Sequence, residues 1–398
     1  MAPSDPTATH SSELGVRSWR AHAGYVPQRV QLRLLVGSWG VATALALFIV
    51  SARVSAQAAR DDEFNDSHFH LTNYVQKGTD IRTFLQIMGT RVKRSTLFGI
   101  PLQQMWSYQN SGNFAPTYYL QSDAPLYYYS FTDAYIAMTY KSLSKAEQDR
   151  FDPMITGFNP ADMYAADHIR RVLRLFPGVF SGIGEFSIHK EFVSSKIPGE
   201  VASLTNPALD SILALAGEAG LVTILHCDVD MPFAKQNTPP VYLEQMRALL
   251  TRHPGTTIIW AHTGLGRVVQ PPNAASGGAD SINPNQYMIV ESILSDPALK
   301  NVYFDISWDE VAKYIVATPE RIARAVELMT KYPDRFLFGT DVVAPSTPEQ
   351  YYAVFAQYAP LWKALKPDVS EKVRRGNYVR LFDEARRRVR AWEKAHAE

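Results

Sequence analysis

Cysteine is almost missing from this chain. Cys227 stands alone among 398 residues, so no intrachain disulfide can form and no zinc or iron–sulfur site can be built from thiolates. A disulfide-stapled secreted fold is excluded with it. Charge of one sign is missing too, since 40 basic residues against 39 acidic ones leave a formal charge of +1. That balance gives no basic excess to neutralise phosphates, so no nucleic-acid partner is expected. No P-loop and no Ser-centred nucleophile elbow occurs in the sequence. What is present is 46% hydrophobic and 20% charged residues, the composition of a folded protein with a sizeable core.

The first sixty residues read as an address. Residues 1–33 carry Arg17, Arg20, Arg29 and Arg33 against only Asp5 and Glu13, and Leu34–Ala52 follows without a charge. The small residues Val54-Ser55-Ala56-Gln57-Ala58 come next and offer an A-x-A-like cleavage site. Residues 1–58 are therefore expected to be a bacterial signal peptide, or a membrane anchor through residues 34–52, which are about long enough to cross a bilayer. Either sends the domain at 61–398 out of the cytoplasm, to the periplasm or beyond, or holds it at the inner membrane.

Past Asp61, short apolar runs ending in a polar residue alternate with amphipathic stretches. The clearest runs are Phe64–His70, Val179–Glu185, Val222–His226, Thr257–His262, Val302–Ser307 and Phe336–Asp341, with further strands expected at Thr96–Ile100 and Pro153–Gly157. Continuous apolar runs suit strands covered on both faces, as in a parallel sheet. Helices are expected at Leu209–Ala219 (opened by Asn206-Pro207 and closed by Gly220), Val241–Arg252, Pro319–Lys331 and Pro348–Leu361. The later strand ends recur at roughly 35–45-residue intervals, the rhythm of an α/β fold of the (β/α)8 TIM-barrel type. A doubly wound open sheet is the alternative, but it often carries a Gly-rich phosphate fingerprint that is missing here.

The stretch from about 101 to 149 breaks the rhythm. It holds Tyr108, Tyr118, Tyr119, Tyr127, Tyr128, Tyr129, Tyr135 and Tyr140 with Trp106, Phe114 and Phe131. Such an aromatic insertion after the second strand would overhang a barrel active site as a lid, or pack on the barrel or on a second subunit, so a homodimer is one expectation.

Chemistry collects at the strand ends. His68 and His70 lie on the first, Glu185 on the fourth, His226 on the fifth, His262 on the sixth and Asp341 on the eighth. Alternate strand residues share a face, so His68 and His70 can clasp one ion. Imidazole with carboxylate suits zinc or a similar divalent metal. Asp305 and Ser307 on the seventh strand, and Asp228 and Asp230 past His226, are weaker candidates. Arg82, Arg94 and Arg267 offer bidentate clamps for a substrate carboxylate, although each also reads as an ordinary surface or cap arginine. Cys227 reads as a small buried apolar residue. His10, His22, His168, His189, His253 and His396 read as surface groups.

The motifs Asp66-Ser-His68-Phe-His70, Gly182-Ile-Gly184-Glu185, Leu225-His226, Trp260-Ala-His262-Thr-Gly264 and Phe338-Gly-Thr-Asp341, with the tail from Val373 to Phe382, together resemble the amidohydrolase superfamily in its amidohydrolase-related branch. The resemblance implies that His68, His70, His226 and Asp341 hold a divalent metal, zinc in the first place. It implies that Asp341 takes the proton from the metal-bound water, and that His262 either orients the hydroxide and polarises the substrate carbonyl or is a ligand of a second ion. Glu185 resembles the metal-bridging acid of the binuclear hydrolases, which leaves one or two ions open; a salt bridge to an arginine and a role in orienting His226 are the structural alternatives. The implied activity is a metal-dependent hydrolase in which hydroxide on the metal attacks a C–N, C–O or P–O bond of a small molecule. The alternative is a metal-dependent decarboxylase or hydratase using the same residues.

Overall fold

The computed structural model describes residues 62–73, 78–100, 131–190, 203–230, 239–267 and 285–397, with short paired segments at 102–103, 105–106, 120–121 and 127–128. The expected signal or anchor at 1–58 lies outside the described residues. No described helix is long and apolar enough to cross a membrane.

Eight strands follow one another: β1 (Phe64–Asp66), β2 (Val92–Leu97), β3 (Phe151–Ile155), β4 (Gly182–Ser187), β5 (Val222–His226), β6 (Ile258–Trp260), β7 (Val302–Asp305) and β8 (Phe336–Leu337). All seven neighbouring pairs are parallel and the order across the sheet is the order in the chain. The first and last strands meet beyond their ends. Ser67 N donates to Phe338 O at 3.1 Å, Asp341 N donates to His68 O at 2.7 Å, and Phe69–His70 pairs in parallel with Val342–Val343. The curled sheet thus joins its own edge, as a (β/α)8 barrel does.

Helices start where the sequence supplies both a cap and a rigid φ. Asn206, Thr318 and Thr347 each accept from a backbone N–H of the first turn, and Pro207, Pro319 and Pro348 open the helices they cap. Gly220 ends Pro207–Ala219 at φ 79°, and a Cβ there would come within 2.3 Å of Arg388 Cβ, so both the turn and the packing require glycine. The helix expected over Pro348–Leu361 is two, Pro348–Gln357 and Ala359–Ala364. Pro360 has no N–H to continue the ladder and sits in the first turn of the second helix.

Strands and helices sandwich one large apolar cluster, while Phe98, Met154, Val222, Ile224, Ile259 and Leu337 fill the barrel interior. The last helix, Asn377–Ala395, closes the floor by setting Tyr378, Leu381, Phe382 and Ala385 against that interior group.

The aromatic segment departs from the C-terminal end of β2. Leu102–Gln103 pairs antiparallel with Tyr127–Tyr128 and Met105–Trp106 pairs parallel with Leu120–Gln121. It returns through α1 (Phe131–Lys141), where buried Asp133 accepts from Thr156 N and Gly157 N just past β3. Helix α1 is thereby pinned to the barrel's mouth side. His168, expected on the surface, places Nε2 3.3 Å from the same carboxylate. His189, also expected there, stacks on Tyr242 with ring centroids 3.7 Å apart.

Candidate metal centre

The strand ends deliver all six expected donors to one place. His68, His226 and His262 are buried, His70 and Glu185 nearly so, and the Asp341 side chain is the most open at 11% exposed. Four of them sit beyond the eight barrel strands: His68 and His70 follow β1, which ends at Asp66, and two more lie on a left-handed backbone. His262 follows β6 at φ 54° and Asp341 follows β8 at φ 55°, a left-handed backbone incompatible with a strand and costly for a residue with a Cβ. The runs expected at Thr257–His262 and Phe336–Asp341 are correspondingly cut short. Gly339 permits the approach of the two ends, since a Cβ there would lie 2.6 Å from His68 Cβ.

Asp341 Oδ1 lies 3.1 Å from His70 Nε2 and 3.3 Å from His68 Nε2, and Glu185 Oε2 lies 3.4 Å from His70 Nε2. Glu185 Oε1 lies 2.5 Å from His226 Nδ1 and 3.4 Å from His262 Nε2. The donors fall into three overlapping sets, each with its ligand atoms within 4.8 Å of one another: His68, His70, Glu185 and Asp341; Glu185, His226 and His262; and His68, His262 and Asp305. His226 therefore groups with His262 across Glu185 rather than with the His68–His70 pair. No arginine is paired with Glu185 among the described contacts; its cation is Lys190, with Nζ 3.6 Å from Oε1.

Hydrogen bonds behind the donors decide which nitrogen faces the centre. His68 Nδ1 lies 3.0 Å from Asp305 Oδ2, so in the neutral ring that nitrogen donates and Nε2 is the lone pair pointing inward. Ser307 donates its hydroxyl to Asp305 Oδ1 and therefore accepts from His262 Nδ1, 2.9 Å away, so Nε2 of His262 is a lone pair as well. Both Nε2 atoms are buried without a hydrogen-bond partner. A buried acceptor left unbonded is costly, and a divalent ion is a group that fits lone pairs of this kind. Asp228 Oδ1 faces His226 Nε2 at 2.9 Å. Asp66 fastens the two ends of the barrel, accepting from His68 N, Thr340 N, Thr340 Oγ1 and Tyr351 OH. Phe98 packs on His68 and His70, and Trp308 on His226 and His262.

Electrostatics favour a cation here. Burial pushes the Asp341 and Glu185 carboxyls up, but their neighbours outweigh it, through the electrostatic influence of His262 and a hydrogen bond with His70 for Asp341 and through Lys190 and His226 for Glu185, so both are held below the usual carboxylate range. Burial opposes charge on His68, yet the Asp305 and Glu185 carboxylates prevail and raise it well above an ordinary histidine. His70 and His262 are lowered by burial. Asp66 is pushed up to about 6 by burial despite its hydrogen bonds.

Other candidates go elsewhere. Arg94 bonds Asp152 and Asp383 at the floor and Arg82 bonds Glu147, so neither faces the centre. Arg267 lies near the mouth, over the Trp308 ring and 3.5 Å from Glu310. Asp230 Oδ1 accepts from Val241 N. Cys227 is buried. Lys190 went unremarked in the sequence; its one signal is a place five residues beyond Glu185 at the same strand's C-terminal end.

A model of the amidohydrolase family matches residues 66–383. The chain is a member of that family. Three solved structures illustrate the likeness of this amidohydrolase. An amidohydrolase of Burkholderia multivorans with bound zinc is 12% identical, with a TM-score of 0.50 over 81% of this chain and 99% of its own. A TIM-barrel protein of Bordetella bronchiseptica is 15% identical, with a TM-score of 0.47 over 81% and 99%. A dihydroorotase of Campylobacter jejuni is 12% identical, with a TM-score of 0.46 over 81% and 83%. Among curated proteins none matches. At these identities the likeness is one of fold.

Proposed function

We propose that this amidohydrolase is a metal-dependent hydrolase that cleaves a C–N, C–O or P–O bond in a small molecule. The observation that carries the reading is the gathering of four imidazoles and two carboxylates at the mouth, with the Nε2 lone pairs of His68 and His262 buried and unbonded. His68, His70, Glu185 and Asp341 are the residues that would hold a divalent ion, with His226 and His262 on the far side of Glu185. Nitrogen and oxygen donors suit zinc, and a neighbour of the same fold carries it. When bound, such an ion supplies Lewis acidity and makes water acidic near neutral pH.

The chain's own residues supply the rest. Asp341 is ionised and lies at the most open part of the centre. It is placed to take a proton from the attacking water and return it to the leaving group. His262, locked by Ser307 and Asp305, offers its Nε2 lone pair to orient that water. Phe98 and Trp308 wall the imidazoles and limit the access of bulk water. The test is a panel of esters, lactones, amides and phosphoesters assayed before and after chelation. Turnover of at least one class should vanish on chelation and return with zinc or another divalent ion; turnover that survives complete metal removal would refute the reading.

A further inference from the structure

Lys190 is a buried cationic residue at the mouth to which the proposed reaction gives no role. It is 5% exposed. Ile188 N donates to His226 O at 3.0 Å and Asp228 N donates to His189 O at 2.7 Å, so residues 188–190 run on beside the end of β5. That path brings Nζ to 3.6 Å from Glu185 Oε1. The same oxygen faces His226 Nδ1 at 2.5 Å and His262 Nε2 at 3.4 Å, and Glu185, His226 and His262 are the three donors a second ion would need. The other oxygen, Oε2, faces His70 Nε2 at 3.4 Å, and Oε1 itself also lies 3.7 Å from His68 Nε2.

We infer that the Lys190 ammonium serves as the second cation of this centre, so that the protein holds one divalent ion, on the His68–His70–Asp341 side, and excludes another from Glu185, His226 and His262. The inference deepens the proposed function and rests on it. An ion bonded to Oε1 would share that oxygen with the ammonium, and like charges this close repel far more strongly in a buried site than in water. The lysine side chain is 6% exposed, so retreat into solvent would require the mouth to rearrange. The tethered ammonium lies beside Oε1 and leaves Oε2, 3.4 Å from His70 Nε2, for the single ion.

The experiment is zinc loading followed by removal of excess, with metal per chain measured by elemental mass spectrometry and the lysine checked by intact mass. Wild type should carry one ion with an unmodified lysine. Lys190→Met should carry two, its second ion binding about 100-fold or more tighter than in wild type. Lys190→Arg, which keeps the charge, should stay at one. Circular dichroism establishes folding, and Lys190→Gln replaces the methionine variant if that one fails to fold. Two ions in wild type, one ion in the folded charge-free variant, or a carbon dioxide adduct on Lys190 would each overturn the inference while sparing the hydrolase reading. No ion in any of these proteins would overturn both.

Discussion

The two ends of the barrel both bury acids, and they treat them in opposite ways. At the floor, Asp152 is fully buried, and each of its oxygens is occupied. Arg94, Arg386 and Ser181 bond Oδ1, and Arg94 and Tyr378 bond Oδ2. At the mouth, Glu185 and Asp341 face imidazoles, and two of those imidazoles turn a lone pair inward that nothing in the protein bonds. Burial and charge alone therefore do not distinguish a site from a strut. The distinguishing feature is polar capacity left unmet around Glu185 and Asp341 and met at Asp152.

Substitutions should separate the two ends by what they damage. The largest effect is expected from Asp341→Asn, which should lower kcat by about 10²- to 10⁴-fold, the usual worth of a proton-transfer group, with an unfolding midpoint close to wild type. A kcat within threefold of wild type would remove Asp341 from the role of proton acceptor. Asp152→Ala should do the reverse. Stranding Arg94 and Arg386 should cost about 3–5 kcal/mol, read as a lower urea midpoint, with turnover per folded molecule unchanged. Unaltered stability there would make the floor network ornamental. The smallest effect is expected from Asp305→Asn. It leaves every direct donor in place but loosens His68 and the Ser307–His262 pair, so zinc affinity should fall about 10- to 100-fold. Affinity equal to wild type would mean that the strand backbone alone orients these rings.

The donors at the mouth were legible because barrel topology converts position along the chain into position in space. His68, His70, Glu185, His226, His262 and Asp341 each end an apolar run, and parallel strands bring such ends to one rim. Their partners were not legible in the same way. Asp305 bonds His68, and Asp228 bonds His226, only because of the register between strands and the backbone angles just past them. Apolar periodicity carries no record of either. Lys190 was invisible because a lysine beyond a strand normally reads as solvated; only the pairing of residues 188–190 with 226–228 turns it inward. Arg94 was misplaced for the converse reason. It lies near the beginning of β2, where the neighbours are Asp152 and the last helix, and the same topology that gathers strand ends at the mouth sends strand beginnings to the floor.

The bond from Asp341 N to His68 O joins residues 273 positions apart, and it has a consequence for how the protein is made. A chain still emerging from the ribosome with its last strand unsynthesised holds two histidines of the four-donor set but not the aspartate that completes it. The centre comes into being only once residue 341 has been made and the sheet has found its own beginning. An ion held by these four donors could therefore bind only after residue 341 has been made, and a protein shortened before that residue would emerge without a complete four-donor set.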